Sequence, residues 1–397
     1  MKKISSIFYF IILLIIFFFQ LSKGYSLDYK FYGHVQPEIS SFINGKGKHN
    51  QPNEKESVYF NINFISYIQD DLAKITINPI ARYDHQDNNR TYIDLNRLKY
   101  EYFFDNVTFK IGNEIVFWGV NESFHVVDII NQSNITENLA GTKKLGQPML
   151  ALSLYEEMGD INLYIMPYFR ERIFPGNKGR PRYAVEIDED AVTYESSKKE
   201  KRIDLAIRYS KVIEDFDIGF SHFHGNARDP ELNINQSTLK LNPYYPILTQ
   251  TSMDIQATKK SWLYKLEALT AKIQSERHVR AAGGFEYTFY GIKDTSQDLG
   301  IVAEYLFDDR NSHPFNNEVA LAIRWTKNDI SSTALLAGAN IDMRGNSNQF
   351  FCEYEKRLKD DIKLFVDLSM NGHIDSNDFT YAFKDDSNLT IKIAKYF

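Results

Sequence analysis

The chain carries one cysteine, Cys352, in 397 residues. That excludes a disulfide framework and any cysteine-built zinc site. It has no excess of cations: 46 Lys and Arg stand against 52 Asp and Glu, a formal charge of -6, so a nucleic-acid binder that neutralises phosphates is excluded. It has no phosphate-cradling glycine loop and no histidine spacing typical of a zinc site, and no metal or cofactor is expected. Beyond the first twenty residues no apolar run approaches the 18 of a membrane helix. Proline and glycine are sparse, 11 and 20, beside 29 Phe and 25 Tyr. With 43% hydrophobic and 25% charged residues, the chain is neither disordered nor a helical membrane bundle. Length alone would suggest two or three soluble domains; the patterns below point elsewhere.

Lys2 and Lys3 precede an apolar run over 7–19, followed by a small-x-small site at Gly24 and Ser26. This is the layout of a signal peptide over residues 1–26; thirteen apolar residues are too few for a membrane anchor, which needs roughly 20. Removing 26 of 397 residues leaves 371, takes away three lysines, and gives 43 basic against 52 acidic groups, a formal -9. The mature chain, 27–397, is therefore expected to be exported.

From there the period is two almost everywhere. Val319, Leu321, Ile323 and Trp325 alternate with Glu318, Ala320, Ala322, Arg324 and Thr326. Ile362, Leu364, Val366, Leu368 and Met370 share one face of another stretch, and Lys74, Thr76, Asn78, Ile80, Arg82 and Asp84 share one face of a third. Such alternation reads as half-exposed antiparallel strands. Runs of this length exceed the usual five or six residues of a soluble strand and match the roughly 9–11 tilted residues that cross a bilayer. Eight short polar turns (near 69–71, 105–106, 158–160, 213–215, 259–261, 293–297, 327–331 and 359–361) separate nine links. The longest of these are 43–56, 117–147, 169–201, 225–246 and 372–387; shorter ones fall near 85–90, 275–278, 309–315 and 344–348. Seventeen connections predict 18 strands, within a range of 16–20; Leu239 to Tyr245 is placed in the 225–246 link, with a further strand there as the alternative. The expected fold is all-β: a closed transmembrane antiparallel barrel with short periplasmic turns and long outer loops. Hydrocarbon demands internal partners for every backbone group, so only a closed sheet survives there. Aromatics such as Tyr100, Tyr102 and Phe103 suit interfacial girdles. A secreted sandwich or solenoid explains the alternating loop lengths poorly, and no 20–50-residue repeat is present.

Leu389, Ile391, Ile393, Lys395 and Phe397 share a face. A terminal aromatic on an alternating strand resembles the sorting signal that barrel-insertion machinery reads in bacterial outer-membrane proteins. Several further motifs are similar to an uncharacterised family of exported porin-like outer-membrane barrels: Val116-Phe-Trp-Gly-Val-Asn-Glu-Ser123, Asp128-Ile-Ile-Asn-Gln132, Lys144-Leu-Gly-Gln-Pro-Met149, Phe169-Arg-Glu-Arg172 and Gly284-Phe-Glu-Tyr-Thr-Phe-Tyr-Gly291. The likeness extends over most of the mature chain. In layout that family is similar to alginate-export and substrate-specific 18-strand porins. The resemblance implies a Gram-negative outer-membrane channel, with membrane lipid, lipopolysaccharide and a small-molecule solute as partners, and it transfers no catalytic residue.

In general porins a long loop at about the place of 117–147 folds into the lumen. Glu122, Asp128 and Glu137 against Lys143 and Lys144 would then set a transverse field. Arg170, Arg172, Arg180 and Arg182 lie within 13 residues; clustered guanidiniums bind carboxylate or phosphate, or pair with nearby acids. The acidic 186–190 and basic 198–202 runs read as a solvated outer loop, less readily as a divalent-ion bridge to lipopolysaccharide. The expected function is diffusion or export of a small or chain-like solute through a polar lumen. One rival is an outer-membrane hydrolase built on Ser221, His222 and His224. These residues fall on two faces of one strand, which disfavours a catalytic pair. The other rival is a plugged barrel serving as receptor or adhesin through its outer loops.

Overall fold

The computed structural model describes residues 28–45, 47, 51–68, 72–138, 140–310, 316–345, 347–376 and 379–397. The expected signal peptide lies outside them. Among the described residues, eighteen strands form one sheet, in which each barrel strand pairs antiparallel with the next along the chain. The sheet runs from Asp28–Phe42 to Asn388–Tyr396. The last strand pairs back with the first, from His34↔Tyr396 to Phe42↔Asn388, and Gly33 and Phe397 exchange backbone hydrogen bonds at 3.0 Å. The sheet has no open edge and is a closed barrel.

Three shorter strands stand apart. Glu231–Asn235 and Lys240–Tyr245 form a hairpin, and Thr193–Tyr194 joins it in parallel. The stretch ending at Tyr245, placed in a link from the sequence, is a strand, but one of a side sheet that ties two long connections together. The barrel keeps its eighteen. Long and short connections fall on opposite ends, because an even antiparallel meander sends every second connection to the same rim.

Alternation sorts the side chains as expected. Leu321 and Ile323 point outward and are 47% and 48% exposed. Their neighbours Glu318 and Ala320 point inward and are buried. Ile391 and Phe397 likewise stand outward. The register slips at two places: at Arg357/Lys359, beside a short turn, and between Ala73–Asp84 and Tyr92–Phe104 at Asn78/Pro79. Pro79 has no N–H to give the ladder, and a bulge is where a sheet accommodates that.

Candidate functional site

Residues 115–146 leave the strand Val107–Glu114 and return at Gln147–Glu156. This strap lies inside the barrel against inward-facing side chains. Trp118, Val126, Val127 and Ile130 bury in one cluster with Met149, Met166, Phe223, Leu248, Leu269 and Leu306 of the wall. Backbone buried there must find partners, and two wall carboxylates supply them. Glu267 accepts from the backbone N–H of Val120 (2.7 Å), Asn121 (3.0 Å) and Val127 (3.1 Å). Glu304 accepts from Glu122 at 2.6 Å and Ser123 at 2.8 Å. Gly119 permits this approach. Its φ is +134°, and a Cβ there would lie 2.8 Å from Glu267 Oε1, so a side chain would meet both backbone strain and a clash.

The strap crosses to the opposite wall. Glu137 forms ion pairs with Arg82 at 2.9 Å and Arg90 at 3.6 Å and accepts from the Tyr92 hydroxyl at 2.8 Å. Arg82 and Arg90 also reach Glu38, and Arg90 reaches Asp84. Lys143 donates to the Tyr59 hydroxyl at 3.2 Å and stands 5.0 Å over its ring. Asp128 pairs with Lys144 at 3.0 Å inside the strap and accepts from the Trp118 N–H. Glu122, at the strap's edge, pairs with Arg324 of the wall at 2.8 Å. Burial pushes the His125 imidazole below its ordinary range despite the nearby carboxylates of Asp128 and Glu304.

The four clustered arginines are separated in space, each with its own partners. Arg170 pairs with Asp94 at 2.9 Å and donates to the Gly146 carbonyl. Arg172 pairs with Asp229 at 2.5 Å, and its backbone N–H donates to the Tyr245 hydroxyl. Burial opposes the Arg172 charge, but Asp229 outweighs it and holds the guanidinium above its usual value. Arg180 is fully enclosed. It pairs with Asp386 at 2.7 Å, donates to the carbonyls of Gly45, Pro52 and Asp385, and lies 4.1 Å over the Phe42 ring. Arg182 donates to the Tyr183 carbonyl. The segment carrying these arginines reaches across the long-connection rim, where Asp87 accepts from the Gly176 N–H and Glu189 from the Phe174 N–H. Burial raises both carboxyls above their ordinary range, against those same hydrogen bonds. In the acidic run Glu186 pairs with Lys240, and in the basic run Arg202 pairs with Asp204.

Between the strap and the other arc of wall lies a cavity of about 410 Å³. Its lining includes Tyr32, Asn63, Lys74, Thr76, Arg97, Lys99, Lys110 and Glu114 from five consecutive strands, with Val116 of the strap and with Met149, Ala151 and Tyr164 of the next two strands. Gly112 belongs to this wall, with φ +128°; a Cβ would fall 2.0 Å from the Leu98 carbonyl oxygen. Attention to the loops missed these charged strand residues, and it missed Glu267 and Glu304. Arg97, Lys99 and Glu101, with Lys110 across the turn, are charges at every second position, a signal present in the sequence.

The hydrolase cluster does not converge. Ser221 Oγ lies 2.7 Å from Ser252 Oγ on the inward face, whereas His222 and His224 bond Thr251 and Thr249 on the outward face.

No family model matches the chain, and no curated protein matches it. Solved structures that resemble it include one described as "Asymmetric conductivity of engineered proteins", 11% identical, covering 93% of this chain and 100% of that one, TM-score 0.46. A multiply substituted Rh. blastica porin and a triple mutant of the Rhodopseudomonas blastica porin are each 10% identical with the same coverage, TM-score 0.45. Likenesses this loose carry no argument about function; the barrel is established by its strand pairing.

Proposed function

We propose that the protein is a porin-like channel of the bacterial outer membrane. A small or chain-like solute passes through the lumen, which the strap narrows. The observation that carries this reading is the division of the barrel's two faces. Outward positions such as Phe31, Phe60, Leu321, Ile323 and Ile391 are apolar and exposed, as a hydrocarbon surround requires. Inward positions hold Lys, Arg, Glu and Asn around an open cavity. A leader at 1–26 would serve export, Phe397 on the closing strand would be read by the insertion machinery, and the outer loops would meet lipopolysaccharide. Glu122, Glu137, Lys143, Arg170 and Arg172 would edge the path, with Asp128 and Lys144 stiffening the strap and Arg180 and Arg182 shaping the outer rim. No covalent chemistry is needed.

Purified protein in planar bilayers is expected to give discrete conductance steps; complete silence over many insertions would overturn the channel. The side sheet that joins two outer connections favours the second reading, a plugged barrel acting as receptor or adhesin. A silent barrel with intact loops would point to it.

A further inference from the structure

We infer that the lumen cavity is a binding station for an oxyanion, a carboxylate or a phosphate, held by Lys74, Arg97, Lys99 and Lys110. The inference rests on the open lumen of the channel reading and names the chemistry of what dwells there. Its basis is a charge imbalance in a confined space. Glu101 is the shared partner of three ammoniums: Lys99 at 3.1 Å, Lys74 at 3.3 Å and Lys110 at 3.9 Å. Glu114 takes Arg97 at 2.8 Å and Lys99 again. Four cations therefore share two carboxylates, and among the described residues Glu114 is the one acid on the cavity lining.

The geometry decides which groups have capacity to spare. Glu101 is buried in the wall behind the lysines, with side-chain exposure of 6%, while Lys74 and Lys110 keep 25% and 29%. Each ammonium has three donors, and Lys110 stands at the long distance of 3.9 Å from Glu101. Both lysines are thus the accessible members of this cluster and line the cavity. A surplus of positive charge between low-dielectric walls is costly unless an anion enters, and the same walls focus its field on a passing solute. The volume is that of a small-molecule site, about 300–1000 Å³. Tyr32 and Tyr164 on the lining supply flat apolar faces for a carbon body, so the station suits a small organic acid as well as phosphate.

The test uses the full mature protein in detergent and in planar bilayers, with inorganic phosphate and succinate as the two probes. Titration calorimetry should register binding of at least one, and the same probe should reduce chloride current through the open barrel. Phosphate alone binding would identify the free phosphate group, and succinate alone the carboxylate. Lys74→Gln and Lys110→Gln should each weaken binding by about fivefold, the scale of one partly shielded charge pair. Glu101→Gln, which enlarges the surplus, should tighten it. Heat-dependent gel migration verifies that each variant is a folded barrel. The site is overturned if neither probe binds the native protein, or if both lysine variants bind as tightly as native. Conductance without binding would remove the site and leave the channel. Binding without conductance would remove the channel and leave the site.

Discussion

The two arcs of the inner wall come from the same alternation and end as different surfaces. On the arc from Asp204–Ile213 to Asp298–Asp308 the inward positions include Phe223, Leu248, Leu269 and Leu306, and the strap covers them. On the arc from Asp28–Phe42 to Val107–Glu114 they include Asn63, Lys74, Thr76, Lys99 and Lys110, and a cavity remains. Period two distinguishes inside from outside, not wet from dry. An apolar inward residue is stable only if something covers it, and the strap serves that purpose for one arc alone. The anchors follow the same division. On the apolar arc the strap hangs from buried carboxylates through backbone N–H groups; on the polar arc it is held by side-chain ion pairs.

The comparison breaks most severely at the apolar anchor. Glu267→Ala with Glu304→Ala strips acceptors from five backbone N–H groups. At about 1–3 kcal/mol for each buried unsatisfied group, the strap should detach. Expected results are larger, noisier conductance and tryptic cleavage after Lys143 or Lys144 in an otherwise folded barrel. Unchanged conductance and full protease resistance would show that the strap is held by its apolar contacts instead.

The polar anchor should yield less. Glu137→Ala leaves the buried Arg82 and Arg90 with Glu38 and Asp84 as remaining partners. Since removing one member of a buried pair costs about 3–5 kcal/mol when nothing replaces it, the loss should be at or below the lower end of that range. Thermal unfolding followed by tyrosine fluorescence would measure it; a loss larger than that of the glutamate pair would reverse the ranking of the two arcs. The smallest effect belongs to Gly119→Ala, which places a side chain at φ +134° against Glu267. Strain of this kind costs about 1–3 kcal/mol and should loosen only the apolar anchor, visible as added current noise with Glu137's contacts intact.

Much of the fold was legible in the residues. The strand count, the sides of the connections and the faces of Asn317–Thr326 and Ile362–Asn371 follow from period two, a local property of the backbone. The limits of the strap were legible as the long link 117–147. Its anchors were not, because Glu267 and Glu304 look like any inward charge until a distant backbone arrives at them. The four arginines within thirteen residues read either as an anion-binding cluster or as partners of acids. Spatially they scatter: Arg170, Arg172 and Arg180 pair with Asp94, Asp229 and Asp386, which belong to three separate parts of the chain. The charged rows on Tyr92–Phe104 and Val107–Glu114 were readable as alternation but gained meaning only once the barrel brought Lys74 beside them.

The amino-acid order by itself set what is repeated every two residues: strands, their two faces, their number and the turns between them, because each choice is made by near neighbours. Tertiary closure decided which inward residues stay in water and which are covered, and which charges share a partner. Those outcomes depend on where a long segment comes to rest across the bore, a distance no local pattern measures.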